Sequence, residues 1–365
     1  MFDATDIQMM HNALALARQG RFSTSPNPRV GCVVAHGTQI VGQGFHIRAG
    51  GPHAEVHALR QAGTLARGAT AYVTLEPCSH YGRTPPCANA LIESGVSRVV
   101  AAMTDPNPQV AGKGLSMLQT AGIRVESGLL EAEARELNRG FLSRIERGRP
   151  FVRLKCAAGL DGKTALSDGR SQWITGEEAR ADVQILRAES CAVITGIGTV
   201  LADNPQLNVR SFPTLRQPAR VVLDSRLKTP LTGKLVQDSG SPTIIATLEN
   251  DEQRLRAYTQ YPHIHIIMPS ENNGQIDLHD LLKQLVAKGY GEVMIEAGAT
   301  LAAAFLQADL VDEIVLYQAP KILGNNARGL FDIPENTEVL QTESLWRTAS
   351  LTTIGNDIKW ILRRK

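Results

Sequence analysis

The sequence predicts an α/β protein with two domains, and two observations carry this prediction. The chain has 365 residues, which is more than one small hydrophobic core usually organises. In both halves, segments with the pattern of buried strands alternate with segments of helical composition, which favours mostly parallel sheets covered on both faces. A content of 43% hydrophobic and 20% charged residues is typical of a soluble globular protein and argues against disordered, fibrous and membrane-embedded classes.

The first half begins with a helix and a hairpin. Thr5 and Gln8 have the spacing of a capping box, and apolar residues then recur on one helical face until Gly20. Two apolar runs separated by His36-Gly37-Thr38 indicate a hairpin with strands at 30–35 and 39–45. Helices and strands alternate after it. The predicted helices cover 53–62, 88–94, 114–121 and 131–142, and the predicted strands cover 69–75, 96–102 and 123–126.

The two halves are separated by a stretch that is typical of a linker. Residues 143–150 are basic, contain Gly148 and end in proline. The boundary is therefore expected near residue 147, between a first domain of residues 1–147 and a second of residues 148–365. The alternation restarts at Phe151. The predicted strands of the second domain cover 152–158, 191–195, 220–223, 243–246, 264–268, 293–296 and 313–317.

Charge and cysteine content limit the functions to consider. The 38 Lys+Arg and 36 Asp+Glu give a net charge of +2, which is too small to indicate a nucleic-acid or membrane partner. Neither a signal peptide nor an apolar run long enough to span a bilayer is evident, so we expect a cytoplasmic protein. The 5 cysteines do not suggest a disulfide framework, and metal binding is the better use for some of them.

The strongest functional signal is the set His53, Cys78 and Cys87. One imidazole and two thiolates supply three zinc ligands and leave a fourth position for water, as in a catalytic site. Zinc lowers the pKa of its water to about 7, so that hydroxide is available to attack an amidine-type ring carbon. Glu55, two residues after His53, is placed to move a proton from this water to the departing amine, which leaves as ammonia.

Other uses of the histidines and cysteines remain open. His57 follows His53 by four residues, so both histidines could bind a metal from one helix face, although no further ligands are evident. A structural zinc would use a fourth protein ligand, which His80 could supply. The other cysteines have apolar neighbours and are expected to be small buried core residues. They are Cys32, Cys156 and Cys191.

The second half contains weaker signals for phosphate binding. Gly196-Ile197-Gly198 follows one apolar strand, and Gly298 lies between another strand and a helix start. Both turns could bring backbone N–H groups to a phosphate, but both could be ordinary strand-to-helix connections. Arg187 and Arg210 could bind a phosphate bidentately, while Arg187 could equally be the solvated end of the helix over 177–188.

Three runs of the first half resemble the bifunctional pyrimidine deaminase/reductases of riboflavin biosynthesis: Pro26–Cys32, His53–Ala58 and Glu76–Cys87. Eight residues separate the two cysteines, rather than the two residues found in the wider cytidine-deaminase group, and this spacing distinguishes the riboflavin branch. The resemblance implies a cytidine-deaminase-like, three-layer α/β/α first domain. It further implies zinc bound by His53, Cys78 and Cys87, with Glu55 as the catalytic proton shuttle. Asn27 and His80 would hold the pyrimidine, although Asn27, between two prolines, could also simply shape a turn.

Four runs of the second half resemble the reductase domain of that family, which is similar to dihydrofolate reductase. They are Lys155–Lys163, Ser171–Thr175, Gly198–Pro205 and Glu296–Gly298. Gly159 stands where that family usually has serine. The resemblance implies NADPH as the cofactor, and the residues expected to bind it are Ala157, Trp173, Thr199, Asp203, Ser225, Gly298, Ala299 and Thr300. The residues expected to bind substrate are Ser171, Arg187, Leu207, Arg210 and Glu296.

The resemblance implies two consecutive reactions on a small-molecule pyrimidine ribosyl phosphate. The deaminase would release ammonia from 2,5-diamino-6-(5-phosphoribosylamino)pyrimidin-4-one, and the reductase would convert the ribosyl side chain to ribityl with NADPH. Two alternatives remain: a deaminase of free or polynucleotide cytosine or adenine with an appended regulatory domain, and a nucleotide-binding module with structural zinc. The sequence leaves a homo-oligomer, the hydride face and the preference for NADPH over NADH open.

Overall fold

The computed structural model describes residues 2–79, 85–108, 110–335 and 343–365. The contacts divide the chain into two units, Met1–Gly148 and Arg149–Lys365. Both units combine helices with a β-sheet, so the predicted α/β class is confirmed. The last helix of the N-terminal unit ends at Glu146. Residues 143–146, which the sequence predicted as the start of a linker, are therefore helical.

The N-terminal unit is built around one sheet. Among its described residues the strand order is β2-β1-β3-β4-β5. Strand β1 is antiparallel to β2 and β3, whereas β3, β4 and β5 are parallel. The elements in chain order are α1 (Ala4–Gln19), β1 (Gly31–His36), β2 (Gln39–Phe45), α2 (Ala54–Ala62), β3 (Thr70–Val73), α3 (Cys87–Ser94), β4 (Arg98–Ala101), α4 (Lys113–Thr120), β5 (Arg124–Ser127), α5 (Glu131–Leu137) and α6 (Arg139–Glu146).

Helix α1 begins with a capping box that differs from the predicted one. The Asp3 carboxylate accepts a hydrogen bond from the N–H of Asp6 at 2.8 Å, and the Asp3 N–H donates to the Asp6 carboxylate at 3.2 Å. The prediction of Thr5 and Gln8 was therefore wrong by two residues. Aspartate is the stronger N-cap residue, since its charged oxygen accepts better from the free N–H groups than a hydroxyl does.

Two glycines of β2 allow helix α2 to lie directly on the sheet. A Cβ atom at Gly42 would lie 2.1 Å from the Ala58 carbonyl oxygen, and one at Gly44 would lie 2.5 Å from the Cβ of His57. Any larger residue at either position would push the helix away. This close packing fixes the start of α2, where His53 and Glu55 lie.

The C-terminal unit has a larger sheet with the order β11-β10-β9-β8-β14-β6-β15-β18-β17 among its described residues. Neighbours from β11 to β15 are parallel, and the last two strands are antiparallel. The elements in chain order are β6 (Phe151–Ala158), β7 (Lys163–Ala165), α7 (Glu177–Glu189), β8 (Ala192–Gly196), α8 (Ile197–Asp203), β9 (Ala219–Leu223), α9 (Lys234–Gln237), β10 (Thr243–Ala246), α10 (Glu252–Thr259), β11 (Ile264–Ile267), β12 (Glu271–Asn272), β13 (Gln275–Ile276), α11 (Leu278–Ala287), β14 (Glu292–Ile295), α12 (Ala299–Gln307), β15 (Glu313–Gln318), β16 (Arg328–Gly329), β17 (Trp346–Ile354) and β18 (Asp357–Arg364).

The central strands of this sheet are buried on both faces. Ile194 and Ile295 belong to the core cluster on one face, whereas Val193 and Met294, their neighbours in sequence, belong to the cluster on the other. This two-sided burial explains why the parallel strands form continuous apolar runs in the sequence. Across the described ranges, no helix is long and apolar enough to cross a membrane.

Candidate active sites

The three residues predicted as zinc ligands come together at one edge of the N-terminal sheet. His53 is the N-cap of α2, Cys87 is the first residue of α3, and Cys78 follows β3. The Nδ1 of His53 lies 3.2 Å from the Sγ of Cys87 and 3.6 Å from the Sγ of Cys78. A tetrahedral zinc, with bonds of about 2.0 Å to nitrogen and about 2.3 Å to sulfur, separates such ligand atoms by about 3.5 Å. The residues therefore fit a zinc ion.

The electrostatics of the three side chains also suit a dication. A hydrogen bond from the Cys87 thiol, with further ones from His53 and from the Cys87 backbone, lowers the pKa of Cys78 to about 4. The same bond to Cys78, together with burial, raises the pKa of Cys87. The hydrogen bond with Cys78 raises the pKa of His53. One thiolate is therefore already favoured, and thiolates are the form in which cysteines bind metal.

Glu55 lies in the first turn of α2 beside these ligands, and its side chain is buried. Burial raises the pKa of its carboxyl to about 7, with His53 acting against this shift and Cys78 adding to it. A carboxyl group that titrates near neutral pH can both accept and return a proton.

Asn27 lies beside the same cluster, held by a histidine that the sequence did not single out. The Asn27 Nδ2 is 3.1 Å from the Nε2 of His46, whose Nδ1 is 3.0 Å from the Pro52 carbonyl oxygen. Since a carbonyl can only accept, Nδ1 carries the proton and Nε2 accepts from Asn27. Burial lowers the pKa of His46, which favours this neutral form. The His46 ring also packs edge-on against His53, with centroids 5.5 Å apart.

The backbone that carries Asn27 is fixed by a second unpredicted residue. The N–H of Arg29 donates to the Oδ1 of Asn138 at 2.7 Å, and the Nδ2 of Asn138 donates to the Arg29 carbonyl oxygen at 3.0 Å. Asn138 is buried between α5 and α6. The two residues are 109 positions apart, so no local sequence pattern could have indicated their contact.

Of the other histidines and cysteines considered from the sequence, those that the structure describes do not join this cluster. His80, expected to hold the pyrimidine or to be a fourth ligand, lies outside the described residues. Within the described ranges, the group with metal-binding geometry consists of His53, Cys78 and Cys87, and His57 is not part of it. The remaining cysteines are buried in the cores, as predicted; they are Cys32, Cys156 and Cys191.

The residues expected to bind cofactor lie mostly at the carboxyl ends of four neighbouring parallel strands, β9, β8, β14 and β6. In the described part of the chain, the space where a Cβ would be at Gly198 or Gly298 is open: within 4 Å it meets no residue beyond the adjacent ones and the backbone of the same helix. Gly298 is the N-cap of α12, whose free N–H groups suit a phosphate. Around these strand ends lie Ala157, Thr199, Asp203, Ser225, Gly298, Ala299 and Thr300.

Trp173 lies in the loop before α7 and is 60% exposed. The guanidinium of Arg180 covers its ring at 4.6 Å from the centroid, and the Nζ of Lys321 donates to its carbonyl oxygen at 2.7 Å. A Cβ at Gly159 would lie only 2.5 Å from the Lys321 carbonyl oxygen. A side chain at this position would therefore require the backbone at Lys321 to shift.

Arg187 and Glu296 form a buried ion pair. Two nitrogens of the guanidinium bind the carboxylate, and the third donates to the Asn208 carbonyl oxygen at 3.1 Å. Burial acts against ionisation of Glu296, but the charges of Arg187, Lys155 and Arg210 hold its pKa below the ordinary value. Lys155 was not assigned a role from the sequence, and its charge acts on this carboxylate from β6.

The remaining residues expected to bind substrate differ in what they can offer a ligand. Arg210 is exposed, and its guanidinium has no partner in the described part of the chain. The side chain of Leu207 is 3% exposed and packs in the core cluster with Val200 and Val222. Only the backbone of Leu207 can therefore face a ligand. Ser171 lies half-buried in the loop before Trp173.

Both units match known protein families. Residues 3–103 match the cytidine and deoxycytidylate deaminase zinc-binding region, and residues 150–360 match the RibD C-terminal domain. The chain is 49% identical to riboflavin biosynthesis protein RibD of Escherichia coli (strain K12), over 97% of this chain and 98% of the relative.

Two solved structures are similar over nearly the whole chain. Acinetobacter baumannii RibD, form 1, has a TM-score of 0.91 and 46% identity and covers 99% of both chains. A Thermotoga maritima protein described as a diaminohydroxyphosphoribosylaminopyrimidine deaminase/5-amino-6-(5-phosphoribosylamino)uracil reductase has a TM-score of 0.88 and 33% identity, again over 99% of both chains.

Proposed function

The chain belongs to the RibD family of bifunctional deaminase/reductase enzymes of riboflavin biosynthesis, and on this premise we propose its substrates, its cofactors and the roles of its residues. The N-terminal unit deaminates 2,5-diamino-6-(5-phosphoribosylamino)pyrimidin-4-one. The C-terminal unit then reduces the ribosyl side chain of the product to ribityl with NADPH. The names of the similar proteins and the geometry of both sites support this proposal.

In the deaminase, His53, Cys78 and Cys87 hold zinc, which supplies a water molecule acidified to a pKa of about 7. Glu55 takes up a proton at its buried carboxylate and returns it to the departing amine, so that ammonia leaves. The raised pKa of Glu55 supports this role, because the same group must act as base and then as acid near neutral pH.

Asn27 and His80 hold the pyrimidine. Because His46 accepts a hydrogen bond from the Nδ2 of Asn27, the Oδ1 of Asn27 is left to accept one from an amino group of the ring. Asn138 keeps the backbone after Asn27 in place.

In the reductase, NADPH supplies the hydride, and the protein contributes orientation. NADPH would be held by residues at the carboxyl ends of β9, β8, β14 and β6, where the N–H groups at the start of α12 would be available to bind a phosphate. The residues proposed to bind it are Ala157, Trp173, Thr199, Asp203, Ser225, Gly298, Ala299 and Thr300.

Arg210 binds the substrate phosphate, because its guanidinium is exposed and has no partner within the described ranges. The carboxylate of Glu296, oriented by Arg187, accepts hydrogen bonds from hydroxyls of the ribosyl chain. Ser171 and the backbone of Leu207 complete the substrate contacts.

One observation carries the deaminase assignment: His53, Cys78 and Cys87 meet in zinc geometry beside a buried carboxyl group. Ammonia release from the diaminopyrimidine ribosyl phosphate, compared with release from cytidine and single-stranded DNA, tests the substrate. The proposal expects turnover of the first compound alone. Chelation tests the role of the metal: it should abolish ammonia release and leave the far-UV circular dichroism of the chain intact, whereas loss of a structural zinc should unfold the N-terminal unit.

A further inference from the structure

Glu76 connects the turn that carries Cys78 to a separate helix. Its side chain is 4% exposed. One carboxylate oxygen, Oε2, accepts the N–H groups of Asp105 at 3.1 Å and Gly112 at 3.0 Å. The other, Oε1, accepts those of Gly114 at 2.9 Å and Leu115 at 3.4 Å. A single buried carboxylate thus binds four backbone donors that lie before α4 and in its first turn.

The helix in turn packs directly on the residue that precedes the metal ligand. A Cβ at Gly114 would lie 1.9 Å from the Pro77 carbonyl oxygen, so only glycine permits this contact. The N–H groups at the start of a helix have no partners within the helix, and they favour negative charge. Glu76 accepts hydrogen bonds from two of them, those of Gly114 and Leu115, and so holds α4 against the Pro77–Cys78 turn.

Cys78 is therefore held from two sides. From α3, the Cys87 N–H donates to the Cys78 Sγ at 3.3 Å, and the Ala88 N–H donates to the Cys78 carbonyl oxygen at 3.2 Å. On its other side, Pro77 restricts the backbone between Glu76 and Cys78 because its ring fixes φ. The position of the Cys78 sulfur thus depends on where Glu76 is anchored.

We propose that Glu76 is a positioning residue for the metal centre: by binding the backbone around the start of α4, it holds the Pro77–Cys78 turn in the geometry that zinc requires. This inference rests on the proposed zinc-dependent deaminase and adds a residue that acts through Cys78. Residues that orient metal ligands typically change metal affinity by about 10- to 100-fold when they are mutated.

The test is the zinc affinity of the full-length Glu76→Gln variant, measured by competition with a chelator. Glutamine keeps the size of the side chain, but its NH₂ group would face two N–H donors instead of accepting from them. We expect the Kd for zinc to rise at least about tenfold, and the absorption spectrum of the cobalt-substituted protein to change with the Cys78 geometry.

Asp6→Asn is the matched control. Asp6 is also a buried carboxylate of the N-terminal unit, bound by Arg98 at the first residue of β4. Arg98 begins β4, whereas Cys78 follows the carboxyl end of β3. Because β3 and β4 are parallel, Arg98 and Cys78 lie toward opposite ends of these strands. This variant should lose stability while its zinc Kd and cobalt spectrum stay those of the wild type.

A wild-type zinc Kd and cobalt spectrum in Glu76→Gln would overturn the proposal and leave the deaminase assignment intact. If the wild-type chain itself does not bind one zinc, the proposed deaminase mechanism fails, and the role of Glu76 fails with it. Should Glu76→Gln not fold, Gly114→Ala tests the same contact from the helix side. Its added Cβ should displace Pro77 and weaken zinc binding, and an unchanged Kd would overturn the proposal.

Discussion

Both oxygens of the Glu296 carboxylate are bound by the guanidinium of Arg187: Oε1 lies 2.6 Å from Nε, and Oε2 lies 2.9 Å from Nη2. The side chain of Arg187 is 10% exposed, and that of Glu296 is 12% exposed. Because the third guanidinium nitrogen donates to the Asn208 carbonyl oxygen, all three nitrogens of Arg187 are engaged within the protein, and two of its five N–H donors are left for a phosphate. Its sequence-based role as a direct substrate ligand thus stays a prediction, and the geometry favours action through Glu296.

Arg210→Ala should weaken binding of the substrate phosphate. Loss of a charge-assisted hydrogen bond costs about 1.5–3 kcal/mol, so we expect the substrate KM of the reductase to rise about 10- to 100-fold. The KM for NADPH and the thermal stability should not change, since Arg210 is exposed. Steady-state rates with each substrate varied in turn make the measurement. An unchanged substrate KM would remove Arg210 from the site.

Arg187→Ala should destabilise the C-terminal unit, because it leaves the buried carboxylate of Glu296 without its partner. Breaking a buried pair from one side costs about 3–5 kcal/mol. The double variant Arg187→Ala/Glu296→Ala should recover part of that loss, because no buried charge is left unpaired. Urea unfolding followed by the fluorescence of the tryptophans, which all lie in this unit, measures both effects. Additive losses in the double variant would contradict the pairing.

Glu55→Gln should retain zinc and fold but lose deamination. Glutamine cannot take up the proton, and general acid–base catalysis contributes about 10²- to 10⁴-fold to rates. Zinc content and ammonia release are the two measurements. Reduction of separately prepared deaminated substrate, which should continue at the wild-type rate, is the internal control. Wild-type ammonia release would exclude Glu55 as the proton shuttle.

Asp6→Asn should destabilise the N-terminal unit in a pH-dependent way. Hydrogen bonds from Arg98 first, and from Tyr72, lower the pKa of Asp6 from 3.8 to about 2. A carboxyl group whose pKa is lowered on folding stabilises the fold at pH values above its unfolded-state pKa. This stabilisation is lost as the pH falls through its folded-state pKa. We therefore expect the substitution to lower the free energy of unfolding by about 2 kcal/mol near neutral pH. Calorimetry should show that this difference in stability between wild type and variant becomes smaller as the pH falls from 3.8 to about 2. A loss that stays constant with pH would contradict the ion pair.

The predictable part of the fold consisted of elements with a strong local pattern. Each predicted strand of the C-terminal unit is present, because most of these strands are central in the sheet and largely apolar in sequence. The hairpin of β17 and β18 was missed, since β17 is largely exposed and carries polar residues. The place of this hairpin in the sheet is decided by the pairing of β18 with β15, which the local sequence does not reveal.

In the candidate sites, too, residues with a local sequence pattern could be predicted, and residues that depend on distant partners could not. The sequence indicates His53, Glu55, Cys78 and Cys87 as site residues, because their residue types and spacing are typical of zinc chemistry, and the fold brings the three predicted ligands together. Residues that support them were not found, because their partners are distant in sequence: His46 lies 19 positions from Asn27. The donors bound by Glu76 lie 29 to 39 positions away. Only the folded chain brings such groups together.

The most direct test of the central claim is paired turnover of the diaminopyrimidine ribosyl phosphate by the zinc-loaded chain. Ammonia release is followed first with NADPH withheld, and NADPH oxidation is followed after its addition. We predict that ammonia appears without NADPH and that NADPH is oxidised only after deamination. NADPH oxidation without prior ammonia release, or no ammonia release with zinc demonstrably bound, would contradict the proposed sequence of reactions.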